Sequence, residues 1–221
     1  MQHIKQLSVK EIIAGIMVGV LFLSASFCSQ QYAETLKIFI GGGGITAMVW
    51  YVVSVVILAV VPLGSTLPLV PIAVAVWGKS MVIVLTVTGW TISASIAFYV
   101  ARYFGKRLIV RLVPATYLEG VQKIISRENL RYIVFAFALI GAPVDAQSYA
   151  FALFTPIRLS VFLFWLAMGL FPFAFFVTFT ATLPIVYQTY IIGLLIVGWF
   201  FFYTRLKQQS SGDSDDTIQN K

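Results

Sequence analysis

The chain has one cysteine, Cys28, and one histidine, His3. A single thiol excludes an intrachain disulfide and a cysteine-based metal cluster. With one imidazole, zinc chemistry has almost no ligands to use. Charge is scarce too, with charged residues making 10% of the 221 against about 25% in soluble domains. Hydrophobic residues fill the difference at 60%, and several runs approach or pass the roughly 18 apolar residues that suggest a membrane span. The composition is that of a polytopic membrane protein. Its net charge of +7 does not point to nucleic acid, because the basic residues sit at the ends of apolar runs. There the positive-inside rule places them in the cytoplasm.

Residues 1–44 read as a first transmembrane helix and a linker. The apolar run Ile12 to Phe27 follows Lys5 and Lys10, with Gly15 and Gly19 spaced as a helix-packing face. A cleaved signal peptide is the alternative, since Ser24-Ala25-Ser26 offers small residues at a cleavage site. Residues 29–44 form the linker, ending in Gly41-Gly42-Gly43-Gly44. No Lys-Ser or Lys-Thr follows, so a hinge is favoured over a phosphate loop.

From Ile45 to Trp77 the chain is apolar but broken by Pro62, Gly64 and Pro68, with Pro71 just beyond. Proline removes a backbone donor and restricts the residue ahead of it, so one straight span is excluded. The pattern predicts a hairpin that enters the membrane, breaks and returns. Gly78-Lys79 ends it, and Met81 to Phe104 forms a full span with Gly89, Ser93 and Ser95 as small packing residues. A basic loop follows from Arg102 to Arg131, carrying Lys106, Arg107, Arg111, Lys123 and Arg127 against Glu119 and Glu128. Helical spacing on both sides of Pro114 suits short amphipathic helices on the bilayer surface.

The second break lies in Gly141 to Arg158, GAPVDAQSYAFALFTPIR. Asp145 is the only carboxylate between Glu128 and Asp213. A charged side chain in hydrocarbon costs roughly 3 kcal/mol on insertion scales, so a lone acid beside Gly-Ala-Pro in an apolar stretch marks a functional site. A span from Leu159 to about Leu183 comes next. The final span runs from about Ile185 to Tyr203 within residues 184–207, and residues 208–221 form a disordered polar tail.

Counting crossings places both termini in the cytoplasm. A hairpin and span begin from outside, and a hairpin and span begin from inside. Pro62 precedes Gly89 by 27 residues and Pro143 precedes Gly169 by 26. The expected fold is all-α and polytopic. It is an inverted repeat of two re-entrant hairpins, each followed by a transmembrane helix, with flanking N- and C-terminal transmembrane helices. Many transporters place the substrate where such breaks meet.

Pro143-Val144-Asp145-Ala146-Gln147-Ser148-Tyr149-Ala150 resembles the second broken-helix motif of the DedA superfamily, also called the SNARE-associated Golgi protein or VTT-domain family. Ala97 to Lys106, AFYVARYFGK, resembles that family's span end, and Pro62 to Gly78 sits where its first broken motif belongs. The likeness covers residues 45–183. It implies opposed re-entrant hairpins, with membrane lipids, phospholipid or polyprenyl phosphate, as the partners moved between leaflets, in some members with proton coupling. No cofactor and no metal are expected. The chain departs from the pattern in three places. The first break offers Ser65 and Thr66 where many members carry an acid. Phe137 stands where many carry an arginine. Ala152 and Ser148 replace a glycine and an asparagine.

The candidate translocation site comprises Asp145, Pro143, Gln147, Ser148, Tyr149, Ser65, Thr66, Pro62 and Pro68. Asp145 could take up a proton or orient a cationic or hydroxylated headgroup, or else tie off backbone donors at the lip of the hairpin. The polar residues could bond a headgroup or satisfy backbone groups freed at the breaks. Arg102, Lys106 and Arg158 could draw lipid phosphate to the cytoplasmic surface, or serve as topological anchors. The expected function is a lipid translocase or scramblase rather than an enzyme. The alternatives are a membrane-organising protein that moves nothing and, further off, an intramembrane lipid-modifying enzyme, for which one embedded acid is too little. Short loops suit a bacterial inner membrane. Substrate, driving ion and oligomeric state do not follow from the residues.

Overall fold

The long apolar runs resolve into helices because each backbone donor in hydrocarbon must be bonded within its own segment. The structure, a computed structural model, describes residues 9–40, 43–60, 65–112 and 129–195. Among them there is no strand. The helices among the described residues are α1 (Val9–Gln31), α2 (Ala33–Phe39), α3 (Ile45–Val60), α4 (Leu69–Trp77), α5 (Lys79–Leu112, kinked at Gly105, which takes φ 69°), α6 (Leu130–Leu139), α7 (Val144–Phe154), α8 (Leu159–Thr180) and α9 (Ile185–Leu195). Two stretches are long and apolar enough to cross a membrane, Lys79–Gly105 and Leu159–Thr180. The bent pair formed by Gly15–Gln31 and Ala33–Phe39 passes the same test jointly.

The two spans are the axis of the fold, and they run antiparallel. Lys79, at the start of α5, lies 4.6 Å above the ring of Phe179 at the end of α8. At the other end, Arg102 of α5 reaches the carbonyl of Ile157 just before α8 begins. Each span carries a helical hairpin whose first leg it packs against: α3 on α5, and α6 on α8. A glycine sits at each crossing. A Cβ on Gly89 would stand 2.6 Å from Val55 Cγ1, and one on Gly169 would stand 2.5 Å from the carbonyl oxygen of Phe135. Neither is a separation that real side chains adopt, so the bare backbone sets the helix approach.

The first hairpin closes at its open end. Trp77, the last residue of α4, donates its indole N–H to the carbonyl of Gly43 just before α3, at 2.7 Å. Its ring also packs on Tyr51 of α3. In the second hairpin, Asn129 to Tyr132 and Ile157 to Arg158 line one cavity. Legs α6 and α7 hold 10 and 11 residues, or about 15 Å each, half the ~30 Å hydrocarbon thickness. Pro71 falls in the first turn of α4, where its missing N–H would have had no helical acceptor anyway.

Residues 29–44 are not the linker that their weak polarity suggested. α1 continues to Gln31, and after a 91° bend the chain forms α2. The polar side chains that looked like a loop have helix-compatible partners. Ser29 Oγ donates to Ser26 O, Ser26 Oγ to Ala181 O, and Gln30 Nε2 to Leu183 O. Glu34 and Lys37 pair one turn apart at 2.9 Å. Gly43 packs against Val76 and Trp77; Gly41 and Gly42 lie outside the described residues. So do Pro62, residues 113–128 of the expected Arg102–Arg131 basic loop, the chain beyond Leu195 and the expected tail, whereas helix continues past Gly105 to Leu112 within that expected loop. Of Lys106 only the helical backbone is described.

Candidate functional site

The second break is a helix ending followed at once by a helix beginning. Gly141 takes φ 74°, a left-handed conformation that glycine adopts without steric cost. That lets Gly141 N–H bond Ala138 O and Ala142 N–H bond Phe137 O, the pair of contacts that closes a Schellman ending and satisfies carbonyls left by α6. Phe173 of α8 lies where a Cβ on Gly141 would go. Pro143 then turns the chain out of the helical region at ψ 123° and caps α7.

Asp145 enters α7 in its first turn, half-buried. Its carboxylate faces the backbone N–H groups of Asp145 itself and Ala146, so part of its stabilisation is a helix start with donors to fill and a favourable dipole. Ser148 Oγ donates to Val144 O, and Gln147 Nε2 to Ala142 O at 3.2 Å. Both residues are buried, and these bonds run to the local backbone. Gln147 keeps one group unmatched: its Oε1 is buried without a partner among the described residues. A buried acceptor left so costs about 1–3 kcal/mol.

Tyr149 joins the two breaks. One turn beyond Asp145 and within electrostatic reach of it, it is buried and donates its phenolic O–H to Val60 O at 3.3 Å. Val60 is the last residue of α3 before the first break. On the far side of that break, Ser65 Oγ accepts from Leu67 N–H at 3.4 Å, and buried Thr66 Oγ1 accepts from Trp90 Nε1 at 2.9 Å. Pro68 caps α4. The Trp90 ring lies 5.8 Å from that of Phe173, the residue packed on Gly141. A line of contacts therefore runs from Thr66 through Trp90 and Phe173 to Gly141, and a second from Val60 through Tyr149 to the turn bearing Asp145.

Trp90 and Phe173 were not singled out from the sequence. A tryptophan in an apolar span does carry a signal, since a buried indole N–H needs an acceptor, but the acceptor's identity is tertiary. Phe137, where the family pattern puts an arginine, packs edge-on against Phe151 at 6.5 Å. That position is apolar packing here.

The basic candidates separate. Arg102 sends Nε to Ala152 O at 2.8 Å, and Nη2 to Thr155 O and Ile157 O at 2.9 Å. Its guanidinium lies 4.9 Å over Phe98. These carbonyls close the C-terminal end of α7, where cationic donors are favoured, so Arg102 is engaged with the hairpin rather than reaching outward. Arg158 is exposed and makes no ion pair among the described residues.

The VTT domain family model matches residues 61–183. That is more than half of the chain, from the first break to just past the second span. No curated protein and no solved structure matches the chain. The match begins one residue after α3, yet α3 packs on α5 as α6 packs on α8, so the structural unit starts about one helix earlier. With this match and helices able to span a membrane, the chain belongs to the VTT-domain family, the domain of DedA and SNARE-associated Golgi proteins.

Proposed function

We propose that the protein moves a lipid or lipid-linked phosphate between leaflets, with the two broken helices acting as opposed re-entrant hairpins of an inverted repeat. The observation that carries this reading is the Tyr149–Val60 bond, which puts the two breaks in contact. Broken helices in hydrocarbon are tolerated where they line a cavity or are buried in protein, and transporters place substrate sites at such junctions near the midplane. The antiparallel spans and the matching glycine crossings support the inverted arrangement. Asp145 is the charged group of the site, Gln147 Oε1 its unmatched acceptor, and Ser65, Thr66 and Tyr149 its hydroxyls. Arg102, Lys106 and Arg158 mark the cytoplasmic end, in a bacterial inner membrane with both termini inside.

The test is reconstitution. Purified full-length protein in liposomes is assayed for exchange of labelled phospholipid and of polyprenyl phosphate between leaflets. Exchange of either above protein-free vesicles is expected. Failure to move both leaves a membrane-organising protein and overturns the proposal.

A further inference from the structure

The open end of the second hairpin holds a cavity of about 660 Å³, in the range of small-molecule sites, roughly 300–1,000 Å³. It lies away from the junction of the breaks. One part of its lining is polar and cationic: Asn129, Arg131 and Arg158. The other is apolar and aromatic: Tyr132, Val161 and Trp165, with the Tyr132 and Trp165 rings 5.6 Å apart. Among the described residues, Arg131 and Arg158 make no ion pair and no acidic side chain lines the cavity. Arg102 is close by in the chain's packing but its donors face carbonyls, so it adds positive potential and no outward contact.

We infer that this cavity is a holding site for the phosphate headgroup of an anionic membrane lipid, separate from the translocation junction. Guanidinium groups present planar, paired donors that match phosphate oxygens, and basic pockets between membrane helices on the cytoplasmic side suit such headgroups. A free phosphate would use only the arginine side. The aromatic wall continues to Phe164, which is exposed and meets Trp165 edge-on at 5.8 Å; that wall is where the first carbons of an acyl chain would lie. The inference rests on the proposed placing of the basic end at the membrane surface and on nothing about transport.

The experiment is a titration of full-length protein in detergent with dioleoyl phosphatidate, read by native mass spectrometry. Dioleoyl phosphatidylcholine and glycerol 3-phosphate are the comparison ligands. Phosphatidate is expected to bind at least ten-fold more tightly than phosphatidylcholine and to resist displacement by millimolar glycerol 3-phosphate. The double variant R131Q/R158Q is expected to lose about ten-fold or more, whereas Lys79→Gln at the opposite end changes nothing. Phosphatidate binding unchanged in R131Q/R158Q, or no preference over phosphatidylcholine, overturns the site. Displacement by glycerol 3-phosphate overturns its assignment to lipid. Should the double variant misfold, a photo-crosslinking benzoylphenylalanine at Val161 provides the second reading. A phosphatidate adduct there is expected, and labelling only from the same group at Val49 overturns the inference. Binding without leaflet exchange would leave this site standing and remove the proposed function; exchange without binding would do the reverse.

Discussion

Trp90 on α5 donates its indole N–H to the hydroxyl of Thr66 in the first break, at 2.9 Å, and both side chains are buried. The bond ties the first break to α5, since the other hydrogen bonds given for the turn from Ser65 to Pro68 are local and Leu67 holds it by packing on the core. Thr66→Val keeps the shape and leaves the indole donor unmatched, at a cost of about 1–3 kcal/mol. Trp90→Phe removes the donor and leaves a hydroxyl that can turn to another acceptor, so it is expected to cost less through the bond. Thermal unfolding in detergent of the two single variants and the double should show non-additivity. Strict additivity would mean that the bond contributes nothing.

The two crossing glycines give a second prediction, with an asymmetry. At Gly89 an added methyl meets the Val55 side chain, whereas at Gly169 it meets the Phe135 carbonyl and the Ala138 methyl. A side chain can be trimmed and a backbone cannot. Gly89→Ala is expected to destabilise by about 1–3 kcal/mol and to be partly restored by Val55→Ala, which removes the Cγ1 contact at 2.6 Å but keeps the Val55 Cβ at 2.9 Å. Gly169→Ala should cost more, with no rescue from Ala138→Gly, because the carbonyl remains. Expression level and unfolding midpoint in detergent check both.

These glycines also show what was legible in the residues alone. Proline and glycine in apolar windows located both breaks and both spans, because each acts on its own backbone. Gly89 and Gly169, noted for their spacing from Pro62 and Pro143, each sit at a helix crossing. Tertiary partners left no such trace. Ser29 and Gln30 look like loop residues until Ser26 and Leu183 supply acceptors. Trp77 gives no hint that Gly43, 34 residues earlier, receives its N–H. Arg102 reads as a surface anchor because positive-inside placement accounts for it fully, and only coordinates reveal the three carbonyls.

Arg102 supplies the third prediction. Its fork bonds the carbonyls of Ala152, Thr155 and Ile157 from two nitrogens, a geometry that a single ammonium cannot reproduce. Arg102→Lys keeps the charge and the topology signal but is expected to loosen the end of α7. The side chain is partly exposed, so the loss of stability should stay near 1 kcal/mol. Hydrogen exchange should be faster at Phe154 and at Ile157 in the variant, with α6 and α8 unchanged. Unchanged exchange across 151–158 would show that the fork is not holding the turn.

Asp145 is the hardest residue to read, because its place at the start of α7 gives it a structural reason to exist. A carboxylate beside free N–H groups in a first helical turn is stabilising by about 0.3–1 kcal/mol with no ligand involved. Asn and Ser fill helix-start donors nearly as well as Asp does. Asp145→Asn therefore separates the two roles: it keeps an acceptor for the Ala146 N–H and deletes the charge. If the carboxylate only completes the helix, the variant should insert, fold and exchange lipid like the natural chain. If the charge acts on the transported headgroup or carries a proton, insertion and unfolding midpoint should stay within about 1 kcal/mol while leaflet exchange is lost. The second outcome is expected. Tyr149 lies one turn away with its hydroxyl committed to Val60, so the carboxyl group of this turn sits beside the contact that joins the two breaks. Full exchange activity in Asp145→Asn liposomes would remove Asp145 from the site and leave it a helix-start residue.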